Sequence, residues 1–207
     1  MTVVVPVLVG VFGAAIGSFL NVVIYRVPRG VSVVTPPSAC PQCATPIRPG
    51  DNIPVLSWLL LRARCRACSA PIAPRYAIVE LVTALVFAGL AALSAPAILT
   101  ASSVAESAAA VLELVALLWF AGIAIALTAI DLDTHRLPDR IVLPSYAVLA
   151  ALLGTAALLT GDGEGAARAA AGAGILFAFY LALALISPRS MGMGDVKLAG
   201  VIGLMLG

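Results

Sequence analysis

Five long apolar runs constrain the fold of this 207-residue chain more than any other feature. A helix needs roughly 20 apolar residues to cross the hydrocarbon core of a bilayer. A sixth run begins at Val196 and reaches Gly207, which is too short to cross. We expect either that this last helix is cut off or that a further helix is missing. The chain is 62% hydrophobic and 11% charged, more apolar surface than a soluble core can bury. The sequence therefore predicts an all-α polytopic membrane protein with about six transmembrane helices. The five complete runs are Thr2–Tyr25, Ala77–Leu99, Ala108–Ile130, Ile141–Thr160 and Ala169–Ser187.

The basic residues predict the orientation of these helices. Eleven of the 12 Lys and Arg residues fall in the first, third and fifth loops, and only Arg168 falls elsewhere. The positive-inside rule places those loops in the cytoplasm and the N-terminus outside. No basic residue precedes the first run, so we interpret it as a retained span and not a cleaved signal peptide. The net charge of +2 is too small to indicate a nucleic-acid partner. The loop residues are Arg26, Arg29, Arg48, Arg62, Arg64, Arg66, Arg75, Arg136, Arg140, Arg189 and Lys197.

The first loop is the only sizeable segment outside the predicted spans. We expect three parts: a first helix over 1–25, a cytoplasmic loop over 26–76 and a helical membrane domain over 77–207. The loop is rich in proline and arginine and has little helix or sheet potential of its own, so it needs a staple. We detect no internal repeat in the sequence.

Four cysteines in this loop supply such a staple. Cys40 and Cys43 form one Cys-x-x-Cys pair, Cys65 and Cys68 form another, and 21 residues separate the pairs. Two such turns can close a tetrahedral zinc site with four thiolate ligands, and four protein sulfurs leave no open position for a catalytic water. The alternative is a pair of disulfides, which a reducing cytoplasm disfavours. The pattern predicts a structural zinc ion.

Two aspartates, Asp131 and Asp195, each lie where an apolar run meets a polar loop. The predicted topology places both at the cytoplasmic boundary, where a carboxylate is costly to desolvate and often functional. Two close carboxylates that share a proton can activate water, as in aspartic proteases. We expect Gly192 and Gly194 to give the backbone before Asp195 conformations closed to other residues.

Other polar residues near these runs have simpler interpretations. Asp139 follows a proline and is expected to be the N-cap of the next helix. Asp133 is expected to face water in the loop, with a divalent-cation site as the alternative. Lys197 is expected to snorkel toward the membrane surface and to balance a nearby negative charge. Glu80 and Glu113 lie within predicted spans, so each is either functional or, for Glu80, stabilised by a helix N-terminus.

Two other functions fit the same residues. In a transporter or channel, the aspartates would relay protons or bind cations, although the sequence has no paired broken helices. In a membrane scaffold, the zinc loop would bind a partner and the aspartates would tolerate substitution.

Several segments resemble bacterial type IV prepilin leader peptidases. They lie in the same order as in that family and cover nearly the whole chain. The first two are the runs 17–28 (GSFLNVVIYRVP) and 51–58 (DNIPVLSW), followed by Arg64-Cys65-Arg66. The two aspartate segments, 131–139 (DLDTHRLPD) and 192–198 (GMGDVKL), match the family's two aspartate motifs.

The resemblance implies a GxGD-type intramembrane aspartic protease of the cytoplasmic membrane. Such enzymes cut the basic leader from prepilins and pseudopilins on the cytoplasmic side, and many also methylate the new N-terminus with S-adenosylmethionine. It implies Asp131 and Asp195 as the catalytic pair and matches the four cysteines to the family's tetrad. The chain departs from the family at Ala63, where members often have glycine at a position associated with methyl transfer. It also ends at Gly207, where members usually continue.

Overall fold

The computed structural model describes residues 3–187 and 191–207, and these residues form seven α-helices. Two 3-10 turns, Val27–Arg29 and Pro49–Asp51, lie in the first loop. The described part of the chain contains two isolated β-bridges and no strand, so the all-α prediction is confirmed. Thr2 and Arg189, which the sequence analysis used, lie outside the described residues. The helices are α1 (Val4–Arg26), α2 (Leu56–Leu60), α3 (Arg75–Leu99), α4 (Val104–Thr134), α5 (Asp139–Thr160), α6 (Gly163–Ile186) and α7 (Met193–Leu206).

Five helical segments are long and apolar enough to cross a membrane, and each overlaps one predicted run. The sixth run forms α7, whose 14 residues reach about 21 Å. The predicted limits are least accurate for α4, which has 31 residues and extends the apolar run at both ends. Polar side chains continue the helix there, since Ser103 Oγ accepts the Glu106 N–H and Thr134 Oγ1 donates to the Ile130 carbonyl.

The chain divides into two compact units, Met1–Ala91 and Ala92–Gly207. The boundary between them falls within α3, so the first unit holds α1, the loop and most of α3. The second unit holds the end of α3 and α4 to α7. The expected division at 76/77 stays a prediction.

In the first unit, one face of α1 is built from glycine so that α3 can approach closely. A Cβ atom at Gly17 would lie 2.7 Å from the Cα of Glu80, closer than two carbon atoms can pack. Asn21 lies one turn further along α1 and donates from Nδ2 to the Tyr76 carbonyl at 3.0 Å. The start and end of the first loop are therefore held side by side.

In the second unit, α4, α5 and α7 pack around buried aliphatic side chains, and α6 packs against α7. The α6 contact is close because a Cβ at Gly203 would overlap the carbonyl of Gly172. Small residues at a helix interface commonly give tight packing in lipid, where no hydrophobic drive joins helices. The buried cluster consists of Ala116, Ile123, Leu127, Val142, Leu149 and Val201.

Candidate functional site

Asp131 lies in the last turn of α4 and not in a loop. His135 ends the helix in a left-handed conformation, with φ of 51°, and its N–H bonds to the Asp131 carbonyl at 2.8 Å. The expectation that Asp133 lies in a loop is wrong, because the helix continues to Thr134. The apolar run ends one residue before Asp131, but the helix ends only where the chain turns left-handed.

Asp195 is the third residue of α7, and its carboxylate caps the start of its own helix. Oδ2 of Asp195 accepts the Gly192 N–H at 3.1 Å. The expectation of glycine-only backbone conformations is wrong here: Gly192 has φ of −82°, and Gly194 is helical. Gly194 is needed for a different reason, since a Cβ there would lie 2.8 Å from the Cβ of Leu137.

Asp131 and Asp195 line one cavity of about 330 Å³ in the second unit. Asp131 comes from the last turn of α4 and Asp195 from the first turn of α7, so both carboxylates lie at the same end of it. The other lining side chains are apolar, apart from Thr128. A cavity of this kind can hold an apolar segment beside two acidic groups. Those side chains are Phe120, Ile123, Ala124, Leu127, Leu132, Leu137, Leu198 and Ile202.

An ion pair that the sequence analysis missed holds α5 to the start of α7. Nζ of Lys197 lies 2.8 Å from both carboxylate oxygens of Asp139, and the Tyr146 hydroxyl donates to the Lys197 carbonyl at 2.6 Å. The expected N-cap role of Asp139 is wrong, because Pro138 takes that position. Lys197 balances a negative charge as expected, since its ammonium group binds Asp139, and its snorkelling stays a prediction. No local signal links residues 58 positions apart.

The two glutamates that the sequence placed within spans, Glu80 and Glu113, are not among the residues that line this cavity. Glu80 is the sixth residue of α3, and its Oε2 accepts the Val55 N–H at 2.7 Å, so it ties the loop to the helix. The expected first-turn position at a helix N-terminus is therefore wrong. Glu113 is exposed on α4 and does not belong to the cavity lining.

The four cysteines of the first unit come together as predicted. All four Sγ atoms lie within 4.8 Å of one another, with Cys40 to Cys68 at 3.8 Å and Cys43 to Cys65 at 4.0 Å. Tetrahedral Zn–S bonds of about 2.3 Å place sulfurs roughly 3.8 Å apart, so the cluster fits zinc. The cysteines are free, and the alternative of two disulfides is not formed.

The cluster is built from a repeat that the sequence analysis did not find. Residues 40–47 (CPQCATPI) and 65–72 (CRACSAPI) share four identical positions. Ala44 and Ser69 follow the second cysteine of each pair and have positive φ of 55° and 58°. Ile47 and Ile72 each donate their N–H to the residue two positions before the first cysteine. The two turns are structural copies, so the statement that the chain has no repeat is wrong.

Hydrogen bonds favour the thiolate form in both turns. Thr45, through its side chain and backbone, lowers the pKa of the Cys43 thiol to about 6. The backbone N–H groups of Cys68 and Ala67 lower the pKa of Cys65. Although the Ala70 N–H acts in the opposite direction, desolvation and the other three cysteines raise the pKa of Cys68 to about 12. Zinc binds thiolates and not thiols, so Cys43 and Cys65 are the ligands that the loop favours before a metal binds.

The fold and these two sites define a polytopic helical membrane protein with two aspartates lining a mostly apolar cavity and a four-cysteine loop. Residues 11–94 match the profile of the Bacterial Peptidase A24 N-terminal domain, and residues 118–207 match that of the Type IV leader peptidase family. The chain belongs to the type IV leader peptidase family, which is a family of proteases.

Three relatives show how far the similarity extends, and each is a prepilin leader peptidase/N-methyltransferase. The protein of Aeromonas hydrophila is 39% identical, over 97% of this chain and 72% of its own length. The Klebsiella pneumoniae protein is 36% identical, over 94% of this chain and 82% of its own length. The Neisseria gonorrhoeae protein is 34% identical, over 97% of this chain and 73% of its own length. No solved structure matches the chain at a significant level. The transporter alternative has no support among these relatives.

Proposed function

We propose that this chain is an intramembrane aspartic endopeptidase that removes the basic leader from type IV prepilins or pseudopilins. Asp131 and Asp195 are the proposed catalytic pair. The observation that carries the proposal is that both aspartates line one cavity in a chain that belongs to a leader peptidase family.

The proposed location is the bacterial cytoplasmic membrane, with the N-terminus outside and the aspartates at the cytoplasmic face. The distribution of basic residues supports this orientation. A leader that is still in the cytoplasm meets the cavity from that side. The hydrophobic segment that follows the leader is the part of the substrate that suits apolar walls.

In the proposed mechanism, the two carboxylates share one proton and divide the chemistry. Asp195 lies at the N-terminus of α7 and already accepts one backbone N–H, an environment that favours negative charge. Asp131 lies in the last turn of α4, where the helix carbonyls disfavour negative charge. We therefore assign Asp195 as the base that takes a proton from water. Asp131 then gives its proton to the carbonyl oxygen under attack. As the C–N bond breaks, the leaving amine takes the proton that Asp195 removed from water, and Asp131 regains its proton from a hydroxyl of the tetrahedral intermediate.

The loop of the first unit is proposed to hold a structural zinc ion through Cys40, Cys43, Cys65 and Cys68. The family resemblance also associates position 63 of this loop with methyl transfer from S-adenosylmethionine, which would therefore depend on the backbone conformation there. Ala63, which replaces the glycine common in the family, has a positive φ of 56°. Alanine adopts this conformation only with strain, so we propose methyl transfer as a second activity whose efficiency depends on this position.

The test is incubation of the purified full chain with a prepilin, with and without S-adenosylmethionine, followed by mass measurement of the product. We expect a mass loss equal to the leader in both samples and a gain of one methyl group with the cofactor. Asp131→Asn and Asp195→Asn should each abolish the mass loss. Asp133→Asn is the matched control, because Asp133 is exposed in the same turn and outside the cavity lining. Full cleavage by either catalytic variant would remove that residue from the mechanism.

A further inference from the structure

A short apolar face in the first loop has no use in the proposed mechanism. Helix α2 exposes three leucines: Leu56 at 56%, Leu59 at 57% and Leu60 at 80%. Ile53, just before the helix, is 47% exposed. Ser57 on the opposite side is buried, so α2 has an inner face and an outer apolar face.

Two contacts fix the position of α2 beside the transmembrane helix α3. The Val55 N–H bonds to Oε2 of Glu80, and Glu80 lies five residues, about 7.5 Å, into α3 from Arg75. The Trp58 indole N–H bonds to the Ile72 carbonyl, just before α3 begins. These bonds place α2 alongside the first two turns of a spanning helix, where such a helix enters the bilayer.

The residues that follow α2 are basic. Arg62 and Arg64 are exposed and, with Arg66, line a polar surface pocket of about 560 Å³. Arg66 is neutralised by Asp51 at 2.6 Å. Within 3–187 and 191–207, no acidic side chain pairs with Arg62 or Arg64. Apolar side chains next to unpaired arginines suit an anionic lipid surface, where leucines enter the acyl boundary and guanidinium groups bind phosphates.

We propose that the outer face of α2, formed by Ile53, Leu56, Leu59 and Leu60, inserts into the bilayer interface while Arg62 and Arg64 bind anionic lipid headgroups. The loop is then held flat against the membrane next to the start of α3. This inference goes beyond peptidase activity and does not require it.

The test uses Trp58 as a depth probe in the full chain. Trp119, the other tryptophan, is changed to Phe, and the protein is reconstituted in vesicles with and without lipid brominated near the headgroup. We expect at least twofold quenching of Trp58 emission by the brominated lipid. Replacing 30% of the phosphatidylcholine by phosphatidylglycerol should increase the quenching, and Arg62→Gln with Arg64→Gln should remove that increase. The matched charge control is Arg48→Gln, in the same loop.

A matched pair of substitutions tests the apolar contact. Leu60→Asn should at least halve the quenching, whereas Val34→Asn should not change it, since Val34 is 81% exposed in the same loop but lies outside α2. Zinc content, measured for every variant, shows that the loop is folded.

Three outcomes would overturn the proposal. Unquenched Trp58 in folded protein means that α2 stands in water. Quenching of Trp58 that falls as the number of protein copies per vesicle rises means that a second copy covers the face. Trp58 emission that is unquenched by the lipid alone and changes only when prepilin is added means that the substrate, and not lipid, covers the apolar face of α2. None of these readings depends on cleavage, so they are distinguishable from failure of the proposed function.

Discussion

The two units bring distant residues together in different ways. In the first, two local turns of the same sequence type present four thiols, and a metal would join them across the loop. In the second, no metal site is needed, and helix packing carries Asp131 and Asp195 to one cavity. The first arrangement is encoded in short motifs, whereas the second depends on glycine contacts and an ion pair between helices. Removal of zinc and disruption of helix packing should therefore affect different parts of the molecule.

The largest expected effect is that of Cys65→Ser. Structural zinc sites contribute on the order of 10 kcal/mol to folding, and the loop has only two short 3-10 turns and α2 to replace it. We expect bound zinc to fall from one per chain to none. We also expect the loop, 26–76, to become sensitive to proteolysis. Metal analysis and limited proteolysis measure this. Ser69→Gly is the control, since it keeps all four thiols at a position of positive φ. A loop that still resists proteolysis in the zinc-free variant would contradict the proposed structural role of zinc.

The second effect concerns the α6–α7 contact. Gly203→Ala adds a methyl group that overlaps the Gly172 carbonyl, whereas Gly174→Ala adds one into open space. Overpacking costs about 1–3 kcal/mol, while alanine in an open helical position stabilises by up to about 1 kcal/mol relative to glycine. The thermal transition should fall for the first variant and stay or rise for the second. Cleavage should fall with Gly203→Ala while zinc binding is retained.

Equal behaviour of the two variants would show that the close approach of α6 and α7 does not matter to the fold. Loss of zinc in Gly203→Ala would show that the two units fail together, against the comparison above.

The sequence was informative where a local pattern was sufficient. Each of the five long apolar runs corresponds to a helix because its length matches a bilayer, and the cysteine spacing brought four sulfurs together. The limits of α4 were missed because helix capping by Ser103 and His135 decides them, not hydropathy. The pairing of Asp139 with Lys197 was missed because it joins residues that only the packing of α5 on α7 brings together.

The third effect tests that pair as a positioning device. Asp139→Asn removes one charge of the bidentate contact and frees the start of α7, two residues after Asp195. A misplacement of a catalytic group by about 1 Å can cost about 100-fold in rate. For a smaller displacement we expect kcat for leader removal to fall about threefold to tenfold, with little change in KM. The swap Asp139→Lys with Lys197→Asp should recover part of the rate. Glu164→Gln, at an exposed site in the first turn of α6, is the control.

If Asp139→Asn raises KM and leaves kcat unchanged, the pair contributes to substrate binding and not to the position of Asp195. If the swap is as slow as the single variant, the ion pair itself is not the cause.

The smallest expected effect concerns backbone strain in the first loop. Arg62 and Ala63 both have positive φ, at 50° and 56°, and each non-glycine residue in this region costs about 1–2 kcal/mol. Ala63→Gly removes one of these costs but gives back part of it as added freedom of the unfolded chain. We therefore expect a net stabilisation of about 1 kcal/mol or less. Ala73→Gly, an exposed alanine without positive φ, should destabilise by a similar amount. Thermal unfolding of the zinc-loaded loop, monitored through its resistance to protease, measures the stability change of both variants. Because the family resemblance associates this position with methyl transfer, the same variant tests that activity. A higher yield of methylated product at an unchanged cleavage rate would show that strain at residue 63 limits the second activity alone, and a parallel change in both would show that the loop also acts on the aspartate site.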